Sequence, residues 1–140
     1  MILPITLTIA AAATLINLWL AGRTGRVRLA AKVSVGDGGH PQLLARMRAQ
    51  ANFVEYTPFF LILLGLIELA HGSATWLWLV AIAYILARIA HAFGMDRAAP
   101  NPFRMIGILA TFAILLGLSL YAIAIPYLVP AAPVTTIIGG

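Results

Sequence analysis

Arg48, Asn52, Glu55 and Tyr56 lie within nine residues of one another. On a helix advancing 100° per residue from Arg48, Asn52 falls at about 40°, Glu55 at about 340°, Tyr56 at about 80° and Phe59 at about 20°. One stripe then carries a guanidinium, an amide, a carboxylate and a phenol over about two turns. Farther along, Tyr84, His91 and Met95 fall at about 320°, 300° and 340° from Arg88, a second one-sided group. Arg104 opens an apolar run, at a helix start where the dipole does not favour a cation. Arginines to meet carboxylates, an amide and a phenol to hydrogen-bond, and an apolar flank together suit an anionic or amphiphilic ligand.

Each of these residues also has a plainer reading. Arg48 and Glu55 could neutralise one another while Asn52 joins two helices, and Arg88 could snorkel to headgroups or pair with Glu55. His91 could be a packing histidine, and Arg104 could meet a lipid phosphate. Spacing alone leaves both sets of readings open. Glu68 and His71 are expected in the opposite headgroup region. The three histidines, His40, His71 and His91, do not form a metal set, and the absence of cysteine excludes disulfides and thiolate ligands.

The elements that must position these groups follow from composition. Of 140 residues, 62% are hydrophobic and 9% charged, against about 25% charged in a soluble domain. Such a chain cannot cover itself with polar surface. Apolar stretches at Leu3 to Ala21, Phe53 to Ala70, Ala74 to Phe93 and Met105 to Val129 each approach the roughly 20 residues that cross a bilayer as a helix. The expected fold is an all-α, four-transmembrane-helix bundle forming one domain over 1–140, with helices at about 3–22, 41–70, 74–94 and 102–129. The first stretch lacks a basic segment before it and is expected to remain as helix one.

All nine basic residues, Arg23, Arg26, Arg28, Lys32, Arg46, Arg48, Arg88, Arg97 and Arg104, lie in or beside the connections after helices one and three. The positive-inside rule places loops 23–41 and 94–103 in the cytoplasm and both termini on the opposite side. The net charge of +5 is thus an orientation signal, not a nucleic-acid footprint. Pro58 inside helix two leaves the Val54 carbonyl without its donor and predicts a kink. Asn101-Pro102 reads as a cap and first-turn proline for helix four, and Ser73 or Thr75 could cap helix three.

The run Arg48-Ala49-Gln50-Ala51-Asn52-Phe53-Val54-Glu55-Tyr56-Thr57-Pro58 resembles the helix-two signature R-x-Q-x-N-x-x-E-Y-x-P of the MAPEG family, the membrane-associated proteins of eicosanoid and glutathione metabolism. Arg88-Ile89-Ala90-His91 is similar to the R-x-x-H of helix three in many bacterial members. The resemblance extends over nearly the whole chain and implies a bacterial inner-membrane protein, a homotrimer with glutathione held between neighbouring subunits. Arg48, Asn52, Glu55 and Tyr56 would bind it from one subunit, Arg88 and His91 from the next, and Arg104 would stabilise the glutathione thiolate. One of Arg23, Arg26 and Arg28 would also reach the ligand. The implied activity is that of a microsomal-type glutathione transferase or peroxidase. Its substrates would be lipophilic electrophiles or lipid hydroperoxides entering from the membrane lipid, and it would require no metal. Met95 departs from several eukaryotic synthases, which carry a tyrosine there.

Two other readings belong to different classes. One is a non-catalytic member of the same fold that binds lipid or another ligand. The other is a small proton-coupled transporter using Glu55 as its carrier, against which stands the expectation that Arg48 and Arg88 hold Glu55 paired.

Overall fold

A computed structural model of the chain describes residues 2–128. They form α1 (Pro4–Ala31), α2 (Pro41–His71), α3 (Thr75–Met95) and α4 (Pro102–Leu128), with no strand among the described residues. Each helix is long and apolar enough to cross a membrane. The expected end of the fourth helix at residue 129 lies outside the described residues.

The first helix runs well past the expected residue 22. Residues 23–31 continue it because Arg, Leu and Ala are good helix formers, and single glycines at 22 and 25 cost only about 1 kcal/mol each. A helix of 28 residues is about 42 Å long at 1.5 Å per residue, so it outruns the roughly 30 Å hydrocarbon layer. It stops where Lys32 turns left-handed at φ 55°, with the Val33 amide donating to the Arg28 carbonyl at 3.1 Å. That geometry closes the last turn.

Short connections make successive helices antiparallel neighbours. α2 and α3 lie at the centre, α1 packs on both, α4 packs on both from elsewhere, and α1 and α4 do not meet among the described residues. One apolar core, built on Ile5, Ile9, Phe60, Leu64, Ile67, Leu77, Ala81, Tyr84 and Leu118, fills the half nearer the α2–α3 turn. A smaller one of Ala13, Leu20, Phe53 and Ala92 lies toward the opposite, basic end. Within the larger core Phe60 stacks on Tyr84, ring centroids 3.7 Å apart.

Outside these cores the surface is apolar. Leu7, Leu15, Leu18, Phe59, Leu79, Leu86, Leu109 and Leu116 are among many large side chains that are exposed. Such an extent of apolar surface belongs against lipid or another helix, not water.

Glu68 departs from its expected place at the headgroups. It is 1% exposed. One carboxylate oxygen accepts from the Ile5 amide at 3.0 Å and the Ser73 hydroxyl at 2.7 Å. The other accepts from the Thr6 amide at 2.8 Å and the Thr6 hydroxyl at 2.7 Å. The first amides of α1 have no partner within their own helix, and Leu3 at the N-cap supplies no side-chain hydrogen bond. A buried carboxylate from α2 fills that need. Ser73 is thereby engaged with Glu68, and α3 begins at Ala74 without a side-chain cap. Asn101, by contrast, caps α4 as its spacing predicts, its Oδ1 accepting from the Phe103 amide at 3.0 Å. His71 is exposed at the same end, near Tyr121.

Candidate functional site

The polar residues converge where α2, α3 and α4 meet. Two glycines bring α3 and α4 into close contact there. A Cβ on Gly107 would stand 2.7 Å from the Ala87 carbonyl oxygen and from His91, and one on Gly94 would stand 2.2 Å from the Arg104 amide nitrogen. Small residues permit this approach between helices in a bilayer, where close packing replaces the hydrophobic effect as a driving force.

Arg88 occupies the resulting junction. It is 1% exposed. One terminal nitrogen donates to Asn52 Oδ1 of α2 at 2.6 Å and the other to Thr111 Oγ1 of α4 at 3.1 Å. The Thr111 hydroxyl in turn donates to the Gly107 carbonyl at 2.8 Å. Phe53 and Tyr56 offer ring faces with centroids about 6 Å from the guanidinium carbon. A second polar link lies one turn deeper, where Thr57 and Tyr84 share a hydrogen bond of 3.1 Å. No carboxylate pairs with Arg88 among the described residues, so three helices hold a buried cation with neutral groups alone.

This arrangement rules out the plainer reading of Arg88. Arg88 neither snorkels nor pairs with Glu55. It meets Asn52 within the protomer. The three-residue connection between α2 and α3 makes them direct neighbours, which is the physical reason.

The rest of the α2 stripe faces outward. Arg48 and Glu55 are exposed, and Asn52 and Tyr56 are half-buried. Glu55 forms no ion pair among the described residues. Seven residues separate it from Arg48, about 10 Å along the axis, and Arg88 is engaged elsewhere. The expectation that arginines hold Glu55 paired is therefore overturned. The Tyr56 ring lies edge-on to Phe112 of α4 at 5.4 Å.

His91 is 4% exposed, and its Nδ1 has no partner. Arg104 leaves α4 beside Gly94, one turn beyond His91, but its side chain is exposed. It lines a groove of about 320 Å³ with Ala99, Pro100, Asn101, Met105 and Ile108. No hydrogen bond or ion pair joins it to the α2 stripe among the described residues. A larger apolar groove, about 530 Å³ between Trp76, Val80, Gly117 and Tyr121, opens between α3 and α4 nearer the α2–α3 turn.

The three arginines of α1 have different fates. Arg23 is 8% exposed, lies 4.5 Å from the Trp19 ring and pairs with Asp96 at the end of α3. Arg46 of α2 joins the same carboxylate at 3.6 Å and donates to the Arg23 carbonyl at 3.0 Å. Arg28 donates to the Gly36 carbonyl at 2.9 Å and holds the loop that follows α1. Arg26 is exposed and makes no such bond among the described residues.

The match to known proteins agrees with this geometry. The model of the MAPEG family matches residues 6–124. The chain belongs to the MAPEG family. It is also similar to the inner membrane protein YecN of Escherichia coli, in two strains, at 32% identity over 92 residues, covering 65% of this chain and 69% of YecN. As a MAPEG protein with four apolar helices, it is an integral membrane protein.

Sequence reasoning missed Thr111, Thr57, Asp96 and the role of Glu68. For the first there was a signal. Thr111 is an isolated hydroxyl in a long apolar run, four residues after a glycine, and such a residue in a membrane helix needs a partner. For Glu68 the signal was its own charge inside an apolar helix.

Proposed function

We propose that this MAPEG protein is a glutathione-dependent transferase or peroxidase of the membrane, acting on lipophilic electrophiles or lipid hydroperoxides. The observation that carries the reading is the α2 stripe. Arg48 and Glu55 are exposed and without partners among the described residues, with the Asn52 amide and Tyr56 between them. Glutathione offers the complement: two carboxylates for arginine and amide donors, and an ammonium for Glu55. Exposure of these groups on the side of the protomer fits a homotrimer in which a neighbouring subunit closes the site. Arg26, the α1 arginine with no internal bond among the described residues, is the one available to reach across.

In this reading Arg104 stabilises the thiolate of bound glutathione. The thiolate sulfur bonds to an electrophilic carbon as the leaving group departs with its electron pair. With a hydroperoxide, the sulfur takes the distal oxygen, the O–O bond breaks and an alcohol leaves. A second glutathione then converts the sulfenic acid to disulfide and water. The apolar flank of exposed leucines and phenylalanines admits such substrates from the bilayer. The basic loops face the cytoplasm, where glutathione is supplied, and the likeness to an inner membrane protein supports that membrane as the location.

A non-catalytic ligand-binding role is favoured by one observation: no hydrogen bond or ion pair links the Arg104 side chain to the stripe among the described residues. One experiment separates the two. Glutathione should raise the thermal stability of the detergent-purified protein, with thiolate absorbance in the ultraviolet that Arg104→Ala abolishes and binding that Arg48→Ala abolishes. Binding without thiolate absorbance would establish the non-catalytic role. No stabilisation at millimolar glutathione would overturn the glutathione assignment.

A further inference from the structure

Asn52 is the residue of the α2 stripe that a buried side chain holds by a hydrogen bond among the described residues. Arg88 is a donor only, so it can hold the oxygen of the Asn52 amide but not the nitrogen. The 2.6 Å contact is to Oδ1 accordingly. Arg88 is itself fixed from the other side. The single hydroxyl proton of Thr111 goes to the Gly107 carbonyl at 2.8 Å, which turns the hydroxyl lone pairs toward Arg88 at 3.1 Å. Gly107, with no room for a Cβ, sets α4 close enough for so short a side chain to reach. The side-chain hydrogen bond of the half-buried Asn52 runs through Oδ1, and Nδ2 donates none among the described residues. It is left as an outward donor, strengthened by the positive charge on its own carbonyl.

We propose that Thr111 and Arg88 are positioning residues that orient the Asn52 amide, so that the ligand group seated at Asn52 must be a hydrogen-bond acceptor, a carboxylate or a peptide carbonyl. Arg88, at 1% exposed, acts on the ligand through Asn52 and does not touch it. The inference rests on the ligand-binding reading above for its choice of glutathione as the probe. The orientation itself stands on the protomer alone.

The test uses the full chain in detergent micelles, labelled with nitrogen-15 at asparagine. The sequence has three asparagines, so the Asn52 amide pair is assignable by Asn52→Ala. In Thr111→Val the Asn52 amide resonance should move, and glutathione should bind about five- to tenfold more weakly, the loss expected for one well-made hydrogen bond. Thr111→Ser should restore both. Asn52→Asp keeps an acceptor for Arg88 but has no donor to give. It should unfold no earlier than wild type, yet bind glutathione more than tenfold more weakly. An Asn52 resonance unmoved by Thr111→Val overturns the inference, as does glutathione binding undiminished in Asn52→Asp. Should Thr111→Val fail to fold, Arg88→Lys is read in the same way, since one ammonium lacks the fork that spans Asn52 and Thr111. A resonance that depends on Thr111 in a protein that binds no glutathione would leave the orientation standing and remove glutathione as its ligand.

Discussion

Glu68 Oε1 stands 3.0 Å from the backbone amide of Ile5, so a carboxylate at the end of α2 caps the beginning of α1. Four donors converge on this one buried group. Glu68→Ala would leave the buried Ile5 amide and the part-buried Thr6 amide without acceptors and should lower stability by about 3 kcal/mol. Glu68→Gln, with one acceptor oxygen left, should cost roughly half as much. Thermal unfolding in detergent reads both. Equal stability of Glu68→Ala and wild type would show that α1 does not depend on this cap.

Gly107→Ala places a methyl group 2.7 Å from the Ala87 carbonyl oxygen and His91. Neither neighbour is the free end of a flexible chain, so α3 and α4 must separate, at a cost of about 1–3 kcal/mol. Because that shift also draws Thr111 from Arg88, the variant should lose stability and glutathione binding together. The same change at Gly117, which has open space around it, serves as the control and should leave glutathione binding unaltered and stability no lower than wild type.

Asp96→Asn removes the carboxylate shared by Arg23 and Arg46. The pair is partly exposed, with the Asp96 side chain at 28%, so the loss should be modest, about 1 kcal/mol. It should shrink in 1 M salt, where screening weakens the pair in the wild type as well. Denaturation midpoints for both proteins at low and high salt measure this directly.

Glu55→Gln should leave the unfolding temperature unchanged, because Glu55 is exposed and makes no ion pair among the described residues. Glutathione affinity should fall about tenfold with loss of the carboxylate that meets its ammonium. Proton-coupled solute uptake into liposomes that disappears in Glu55→Gln, with glutathione binding intact, would instead revive a transporter.

The four-helix membrane fold was legible because lipid leaves few alternatives. Backbone groups must be satisfied within each segment, so four long apolar runs can hardly be anything else. The stripe of Arg48, Asn52, Glu55 and Tyr56 was legible because helical spacing alone places residues on one face. What spacing could not give was the partner of each polar group. Angles about the α2 axis say nothing of how near α4 comes, and so could not show that Thr111, not Glu55, would engage Arg88. Nor could they show that Glu68 turns inward to α1 rather than outward to headgroups. The end of α1 was misjudged for another reason. Charged residues that cannot remain in lipid can still propagate a helix beyond it, and Arg26 and Arg28 do so.

The buried guanidinium of Arg88 also bears on how the chain enters the membrane. An arginine well inside an inserting helix costs about 3 kcal/mol before it finds partners, and both of its hydrogen-bond partners belong to other segments, Asn52 made earlier and Thr111 made later. α3 therefore gains its full partition energy only after α4 has been synthesised and has docked. During biogenesis the third segment should linger beside the insertion machinery, and truncating the nascent chain before Thr111 should leave α3 accessible to reagents from the aqueous side.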